Sequence, residues 1–351
     1  MDRRDFAQHV AALAVGVTGV VGLDIDRLIA LLPQADPTGT RHIGVADVET
    51  IEQATAAFVR QDFAHGSGIA RDAAVAHLHA TLPLLGAQVS SELRPRLLLA
   101  TGRLAMQAGW MSFDVEQDDA ARRLWMIALD IARAADHPQS SDLTVYVLYD
   151  MALQALHLGR PDEALRLVYL GHAVATGSHP VSAATTSCLA NIQARAHAAR
   201  GEAAACDRAL GQAVEHFAAI DQARRPSWGA FYDETSLSSF QGAAQYTLAL
   251  TNGEPGAAKR AVPLLRQAVD GFGPDYARFR ANNLPRLAGA HAIAGDGGTA
   301  VSVGHQAVDA VTALHSPRAY DGLRVLNTAL EPLHTSAGVA ELRDRLRATA
   351  A

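Results

Sequence analysis

A pattern of small residues that recurs five times constrains the fold of this chain more than any other feature. In each copy, a small residue is followed twelve positions later by a second one, then by a usually bulkier residue four positions on, and by another small one three further on. The second small residues, spaced 43, 42, 55 and 39 positions apart, are Ala121, Ala164, Cys206, Ala261 and Ala300. Paired small residues let two helices approach closely, so the pattern predicts helical hairpins.

A turn signal lies between the first two small positions of every copy. The turns are expected at residues 114–119, 159–161, 200–202, 252–256 and 295–298. This arrangement resembles the tetratricopeptide repeat (TPR), whose standard unit is about 34 residues, so the longer steps indicate degenerate units. We predict an all-α, TPR-like right-handed α-solenoid of about six to seven hairpins that forms one domain over residues 41–351.

Composition agrees with stacked helices, because 49% of the residues are hydrophobic but only 5% are aromatic. Few runs have the alternation of a strand. The net charge of −6 provides no overall attraction for nucleic acid, so no direct nucleic-acid binding is expected from this chain alone. Cys188 and Cys206 lack a Cys-x-x-Cys partner, and buried free thiols are predicted.

The amino-terminal residues 1–40 permit two interpretations. The segment from Arg3 to Phe6, followed by an apolar run from Ala11 to Leu23, resembles a twin-arginine export signal. However, the run is too short to span a bilayer, and no clear Ala-x-Ala cleavage site follows it. We therefore predict an apolar capping segment, a cytoplasmic chain and no membrane association, with export as the alternative.

The 55-residue step predicts an insertion between the third and fourth hairpins. It covers Asp221 to Leu237 and is the most aromatic and polar stretch of the chain. Its candidate binding residues are Trp228, Tyr232, Asp233 and Glu234. The two acids form a candidate acid pair, but acids also favour a helix start, so a cap for a helix beginning near Thr235 is the preferred interpretation.

Several segments together resemble the TPR-like regulatory (sensor) region of actinobacterial XRE-type helix-turn-helix transcriptional regulators. They are Arg3 to Phe6, Ala108 to Leu124, Leu158 to Ala164 and Trp228 to Glu234. In that family the Arg-Arg-x-Phe segment usually follows a DNA-binding domain, whereas here it begins at Arg3. The resemblance implies a regulator without its helix-turn-helix domain. A more distant likeness to peptide-sensing TPR regulators implies a peptide or small effector in the concave groove.

The repeat also predicts which residues line such a groove. Inner-face positions lie 18, 15, 11 and 8 residues before each second small residue. The resulting candidates for ligand or partner contact are Arg103, Trp110, Tyr146, Tyr149, Asn191, Arg195, Tyr246 and Asn282. Asn can pair with a peptide backbone, Tyr and Trp supply rigid contact area, and Arg can bind a carboxylate. For Trp110 and Phe113 a core position is the preferred alternative. We expect Asn191→Ala to abolish binding with little change in the melting temperature.

Signals of catalysis or metal binding are poor. No His-Glu-x-x-His, Gly-x-Ser-x-Gly or Walker motif occurs. His77 and His79 would project about 200° apart on a helix, so they do not share a metal. His157, His197 and His291 fall near the concave side of three different repeats, where neutral surface histidines are preferred to ligands. We therefore predict no catalytic residue, metal or cofactor.

Three functions fit these observations. We predict a non-enzymatic TPR-type regulatory or sensor protein that binds a peptide, small effector or partner protein in its groove and is linked to transcriptional control. The alternatives are a scaffold or adaptor without an effector, and an α-solenoid enzyme or accessory protein of secondary metabolism. An enzyme would need convergent titratable groups with perturbed pKa values. Homodimerisation through apolar terminal segments stays open.

Overall fold

The computed structural model describes residues 42–177, 179, 181–221 and 225–349. The predicted capping segment 1–40, with its twin-arginine-like motif, therefore lies outside the described residues. The chain is all-α, as predicted. The two strands of the described part, β1 (His42–Ile43) and β2 (Gln88–Val89), form one short parallel pair.

Fourteen α-helices follow one another through the described residues. They are α1 (Val45–His65), α2 (Arg71–Thr81), α3 (Arg94–Asp114), α4 (Asp118–Ala134), α5 (Ser140–His157), α6 (Pro161–Ala175), α7 (Ala183–Ala199), α8 (Ala203–Ala218), α9 (Glu234–Asn252), α10 (Pro255–Gly271), α11 (Ala277–Ile293), α12 (Gly297–Thr312), α13 (Ala319–Ala329) and α14 (Val339–Thr349). Short 3₁₀ turns lie at Leu82–Gly86, Ser227–Gly229, Pro274–Tyr276 and Glu331–Leu333.

The five predicted hairpins are present as the helix pairs α3–α4, α5–α6, α7–α8, α9–α10 and α11–α12. The two helices of each pair pack along each other, and each pair also packs against the next. The small residues at the second position of every repeat, Cys206 among them, are completely buried. The prediction of stacked helical hairpins is thus confirmed, whereas the right-handed solenoid path stays a prediction.

All five hairpin turns use the same hydrogen bond. A backbone N–H two or three residues past the end of the first helix donates to the carbonyl five residues earlier, at 2.8–3.2 Å. The residue between them has a positive φ; these residues are Glu116, Gly159, Gly201, Gly253 and Gly295. This is the Schellman arrangement, which caps a helix and favours glycine. The same turn conformation therefore recurs in each hairpin, although a glutamate takes the positive-φ position in the first turn.

The stack closes on itself. The carboxylate of Asp62 on α1 accepts a hydrogen bond from Arg278 Nη2 on α11 at 2.8 Å, and both side chains are buried. Phe63 packs edge-on against Phe279 of α11, with ring centroids 5.0 Å apart. The loop after α1 is joined to the loop before α13 by a backbone bond from His315 N–H to the His65 carbonyl at 2.8 Å. What would be an open groove in a longer stack is consequently a partly enclosed cavity.

A second buried acid joins the same two regions. Asp114, at the end of α3, is completely buried and accepts hydrogen bonds from the Ser67 N–H at 3.1 Å and from Ser316 Oγ at 2.9 Å. It also pairs with Arg318 at 3.1 Å. Two buried carboxylates, more than 200 residues from their arginine partners in sequence, thus hold the first helices against the last ones.

Candidate functional site

A cavity of about 800 Å³ lies inside the closed stack. Its wall is built from α1 and from the first helix of each hairpin, namely α3, α5, α7, α9 and α11. Residues 318–325 at the start of α13 and residues 227–231 of the insertion complete it. The second helices of the five hairpins contribute no residue to this wall among the described residues. The first helices therefore face inward, as a TPR-like stack requires.

All eight residues predicted for the groove lie in the wall of this one cavity: Arg103, Trp110, Tyr146, Tyr149, Asn191, Arg195, Tyr246 and Asn282. The offsets from the second small residue of each repeat identified residues of one cavity, because each offset marks the same angular position on successive helices. Their role in binding stays a prediction. Phe113 is completely buried in the core, as preferred, whereas Trp110 is only partly buried and its Nε1 donates to Asp62 at 3.1 Å.

The four candidate residues of the insertion lie in different environments: in the cavity wall, in the core and at the start of a helix. Trp228 lies in the cavity wall, where its ring centroid is 5.1 Å from the Arg103 guanidinium carbon. Tyr232 is completely buried and stacks on Phe240 at 5.6 Å, so it belongs to the core. Asp233 caps α9 by accepting from the Ser236 N–H at 2.9 Å, which confirms the preferred interpretation, while Glu234 is the exposed first residue of that helix.

Asn191 is tied into a buried hydrogen-bond network. Its Nδ2 donates to the Tyr232 hydroxyl at 2.7 Å and to the Ser187 carbonyl at 3.0 Å, and only 2% of the residue is exposed. Removing the amide would take two hydrogen bonds out of this buried network and leave a small void, which is costly. The expectation that Asn191→Ala leaves the melting temperature nearly unchanged is therefore replaced: the substitution is expected to destabilise the fold as well.

Arginine dominates the charge of the cavity wall. Seven arginines and two aspartates line it, although the whole chain carries a net charge of −6. The repeat offsets identified two of the seven, Arg103 and Arg195. Arg278 and Arg286 were missed, yet they lie four residues either side of the predicted Asn282 and so share its helix face. That spacing is the signal that would have found them.

Several of these arginines lack an acid partner in the described part of the chain, Arg195 and Arg286 among them. Arg278 pairs with Asp62 and Arg318 with Asp114, but neither Arg195 nor Arg286 forms an ion pair with an acid among the described residues. Burial, together with the positive charges of Arg195 and Arg318, lowers the pKa of Arg286 to about 9. Burial also lowers the pKa of Arg195, and Arg318 adds to that effect. The wall therefore concentrates positive charge that the described side chains do not neutralise.

Burial disfavours the charged forms of the acidic and phenolic groups in the same wall. Asp150 lies in the wall, is 3% exposed, and burial raises its pKa well above the usual value, with the charge of Asp62 as a further cause. Burial likewise raises the pKa values of Tyr146 and Tyr149 well above the usual range. These groups therefore offset the arginine charge poorly, although they offer hydrogen bonds to a ligand.

The histidines singled out in the sequence are bonded to acids on their own or neighbouring elements. His157 lies in the cavity wall and pairs with Asp321 at 3.0 Å, while His197 pairs with Glu202 at 2.7 Å and His291 with Asp296 at 3.2 Å. Within the described residues, no group of three or more His, Cys, Asp or Glu side chains is placed to hold a metal ion.

The site as a whole presents donors and rings. Arginine N–H groups and tyrosine hydroxyls face a cavity whose remaining wall is largely aromatic and aliphatic, which suits an anion with an apolar portion.

No helix of the described part is both long and apolar enough to cross a membrane. Comparison of the chain with protein-family models, with curated proteins and with solved structures finds no match.

Proposed function

We propose that the chain is a regulatory protein that senses a small effector bound in its internal cavity. The observation that carries this proposal is the enclosed cavity itself, with its wall of arginines and aromatic rings. A stack of hairpins whose only role was to present an outer surface would have no need to bury charged side chains at its centre, because burying unpaired charge opposes folding. The wall is thus best explained by a ligand.

The size of the cavity favours a small molecule or a short peptide over a partner protein. Small-molecule sites are typically about 300–1,000 Å³, and a volume of about 800 Å³ falls in that range. Contacts between α1 and α11 close the inner faces of the helices on one side, which leaves little room for a folded partner to lie along them. The sequence left a peptide, a small effector and a partner protein open as ligands, and a small effector fits the cavity best.

The closing contacts supply a route from ligand to regulation. Arg278 and Arg318 hold the ends of the stack together through Asp62 and Asp114, and both also lie in the cavity wall. A ligand that contacts these arginines changes the relative free energies of the closed and open arrangements. The link to transcriptional control rests on the resemblance to the sensor region of XRE-type regulators and is part of the proposal.

Filling the cavity tests this function. Leu153 lies in the wall, and Leu153→Trp places an indole in the space that the effector would occupy. Val214→Trp adds the same ring to an exposed position of α8 outside the cavity and serves as the matched control. We expect native mass spectrometry of protein purified from its own host to detect a retained small mass in the wild type and in the control, but not in Leu153→Trp.

Two results would count against the proposal. The same mass retained by Leu153→Trp would place the ligand elsewhere. A retained protein in place of a small molecule would favour the scaffold alternative. Far-ultraviolet circular dichroism of all three proteins separates loss of the ligand from loss of the fold.

A further inference from the structure

Arg195 and Arg286 are two cavity arginines without an acid partner among the residues that the structure describes. Arg195 on α7 and Arg286 on α11 both line the cavity, and each remains partly accessible to it. They lie near enough to interact, since the charge of Arg195 contributes to the lowered pKa of Arg286. Two neighbouring guanidinium groups that line one cavity and form no ion pair favour the entry of an anion, because it offsets their positive charge.

The remaining wall describes the rest of the ligand. Tyr149 and Phe240 lie with ring centroids 6.3 Å apart, and Phe231 and Phe279 lie 5.7 Å apart. All four residues line the cavity. Aromatic walls of this kind favour a planar apolar body that stacks against them or meets their edges. The cavity wall thus combines guanidinium groups with aromatic rings.

We propose that the effector carries a carboxylate or phosphate group held by Arg195 and Arg286, joined to a planar apolar body that packs against the aromatic wall. The inference deepens the proposed function and rests on it. Carboxylate and phosphate share the oxyanion chemistry that a guanidinium recognises through paired hydrogen bonds. The aromatic wall excludes a small inorganic ion as the whole ligand, because such an ion would leave most of the cavity unfilled.

A matched pair of fluorescent probes tests the charge. The dye 8-anilinonaphthalene-1-sulfonate has a planar apolar body and one anionic group, and N-phenyl-1-naphthylamine has the same body without the charge. We expect the wild-type protein to bind the anionic dye at least about 10-fold more tightly than the neutral one, which is the effect of one charge-assisted hydrogen-bond pair.

Substitution at the two arginines should abolish that preference. Arg195→Gln and Arg286→Gln are each expected to weaken the anionic dye about 10- to 100-fold and to leave the neutral dye unchanged. Arg208→Gln, on the exposed face of α8, is the matched control and should bind both dyes as the wild type does. The neutral dye also reports whether a variant has kept its cavity, so a folding defect is recognised directly.

Displacement experiments identify the oxyanion. Naphthalene-1-carboxylate and 1-naphthyl phosphate carry the same ring, and the one that displaces the anionic dye at lower concentration identifies the group that the site prefers. Displacement by either supports the inference, and displacement by neither overturns it.

Other outcomes separate this inference from the proposed function. Equal affinity of the wild type for both dyes, or an unchanged preference in Arg195→Gln and Arg286→Gln, overturns the anion site but leaves an effector cavity in place. Failure of the wild type to bind either dye contradicts both, because the two probes have the size and shape that the cavity should admit.

Discussion

At the scale of single residues, the cavity arginines should favour ligand binding but lower the stability of the ligand-free fold. A buried guanidinium without an acid partner has lost its hydration and gained no compensating charge, so it opposes folding. The lowered pKa of Arg286 has the same cause, because burial in the folded state penalises the charged form of this side chain relative to the unfolded state. Removing the charge should therefore stabilise the protein without ligand while it removes the binding site.

Arg286→Met tests this trade-off. We expect the unfolding free energy of the ligand-free protein to rise by about 2 kcal/mol, because methionine fills similar space without a charge. Below pH 9 the wild-type side chain is protonated and the difference should be constant; as the pH rises above this pKa of about 9, the folded state loses the proton before the unfolded state does, and the difference should shrink. Urea titrations at several pH values measure it.

The matched control is Arg208→Met on the exposed face of α8. It should change stability by less than about 0.5 kcal/mol at every pH, as surface substitutions do. A loss of stability in Arg286→Met would show that the guanidinium is compensated by groups of this chain, and would weaken the case for an anionic ligand.

At the scale of elements, small residues determine how the hairpins close. In the first hairpin, the Trp125 ring lies directly over Gly109, and its Nε1 donates to the Met106 carbonyl at 3.2 Å. A Cβ atom at Gly109 would lie 2.6 Å from the indole ring. The bulky position that follows the second small residue thus fills space within its own hairpin.

Gly109→Ala should loosen this hairpin. The added methyl group meets a completely buried, rigid indole, and overpacking of this kind costs about 1–3 kcal/mol. Gly211→Ala is the matched control, because Gly211 is an exposed position of α8 with open space around it. It should instead gain about 0.5–1 kcal/mol from helix propensity. Thermal unfolding of both variants should therefore give melting temperatures that shift in opposite directions.

Most of the element-level structure could be predicted from the sequence. Repeat spacing located the five turns and the inward helix face, and Asp233 was recognised as a cap. Tyr232 was misplaced as a candidate binding residue because aromatic content alone does not distinguish the cavity wall from the core. Its complete burial depends on Phe217 and Phe240, which belong to helices on either side of the insertion.

At the scale of the whole molecule, closure of the stack depends on a few buried polar contacts. Asp114 connects the end of α3 to the loop after α1 and to the loop before α13. These contacts close one side of the cavity. Breaking one member of such a group leaves the others buried without partners, so the closing contacts should be far more sensitive to substitution than surface ion pairs.

Asp114→Asn tests the closure. We expect a loss of about 3 kcal/mol in stability, because Arg318 keeps its charge and loses its acid partner. Hydrogen exchange should increase in α1 and α13 before it increases in the hairpins between them, since only the closing contacts are weakened. Asp344→Asn removes an exposed ion pair with Arg347 and should cost less than about 0.5 kcal/mol. Uniform exchange in Asp114→Asn would contradict a local closure.

The sequence by itself determined the helices, the turns between them, the hairpin pairing and the inner helix face. Each of these depends on side-chain period or on spacing within one repeat, where local geometry leaves few alternatives. Only the tertiary structure decided that the stack closes, that Arg278 and Arg318 are paired and that Arg195 and Arg286 are not. Asp62 and Arg278 are 216 residues apart, and their meeting depends on small rotations accumulated over all the intervening hairpins. No sequence pattern within one repeat encodes these accumulated rotations.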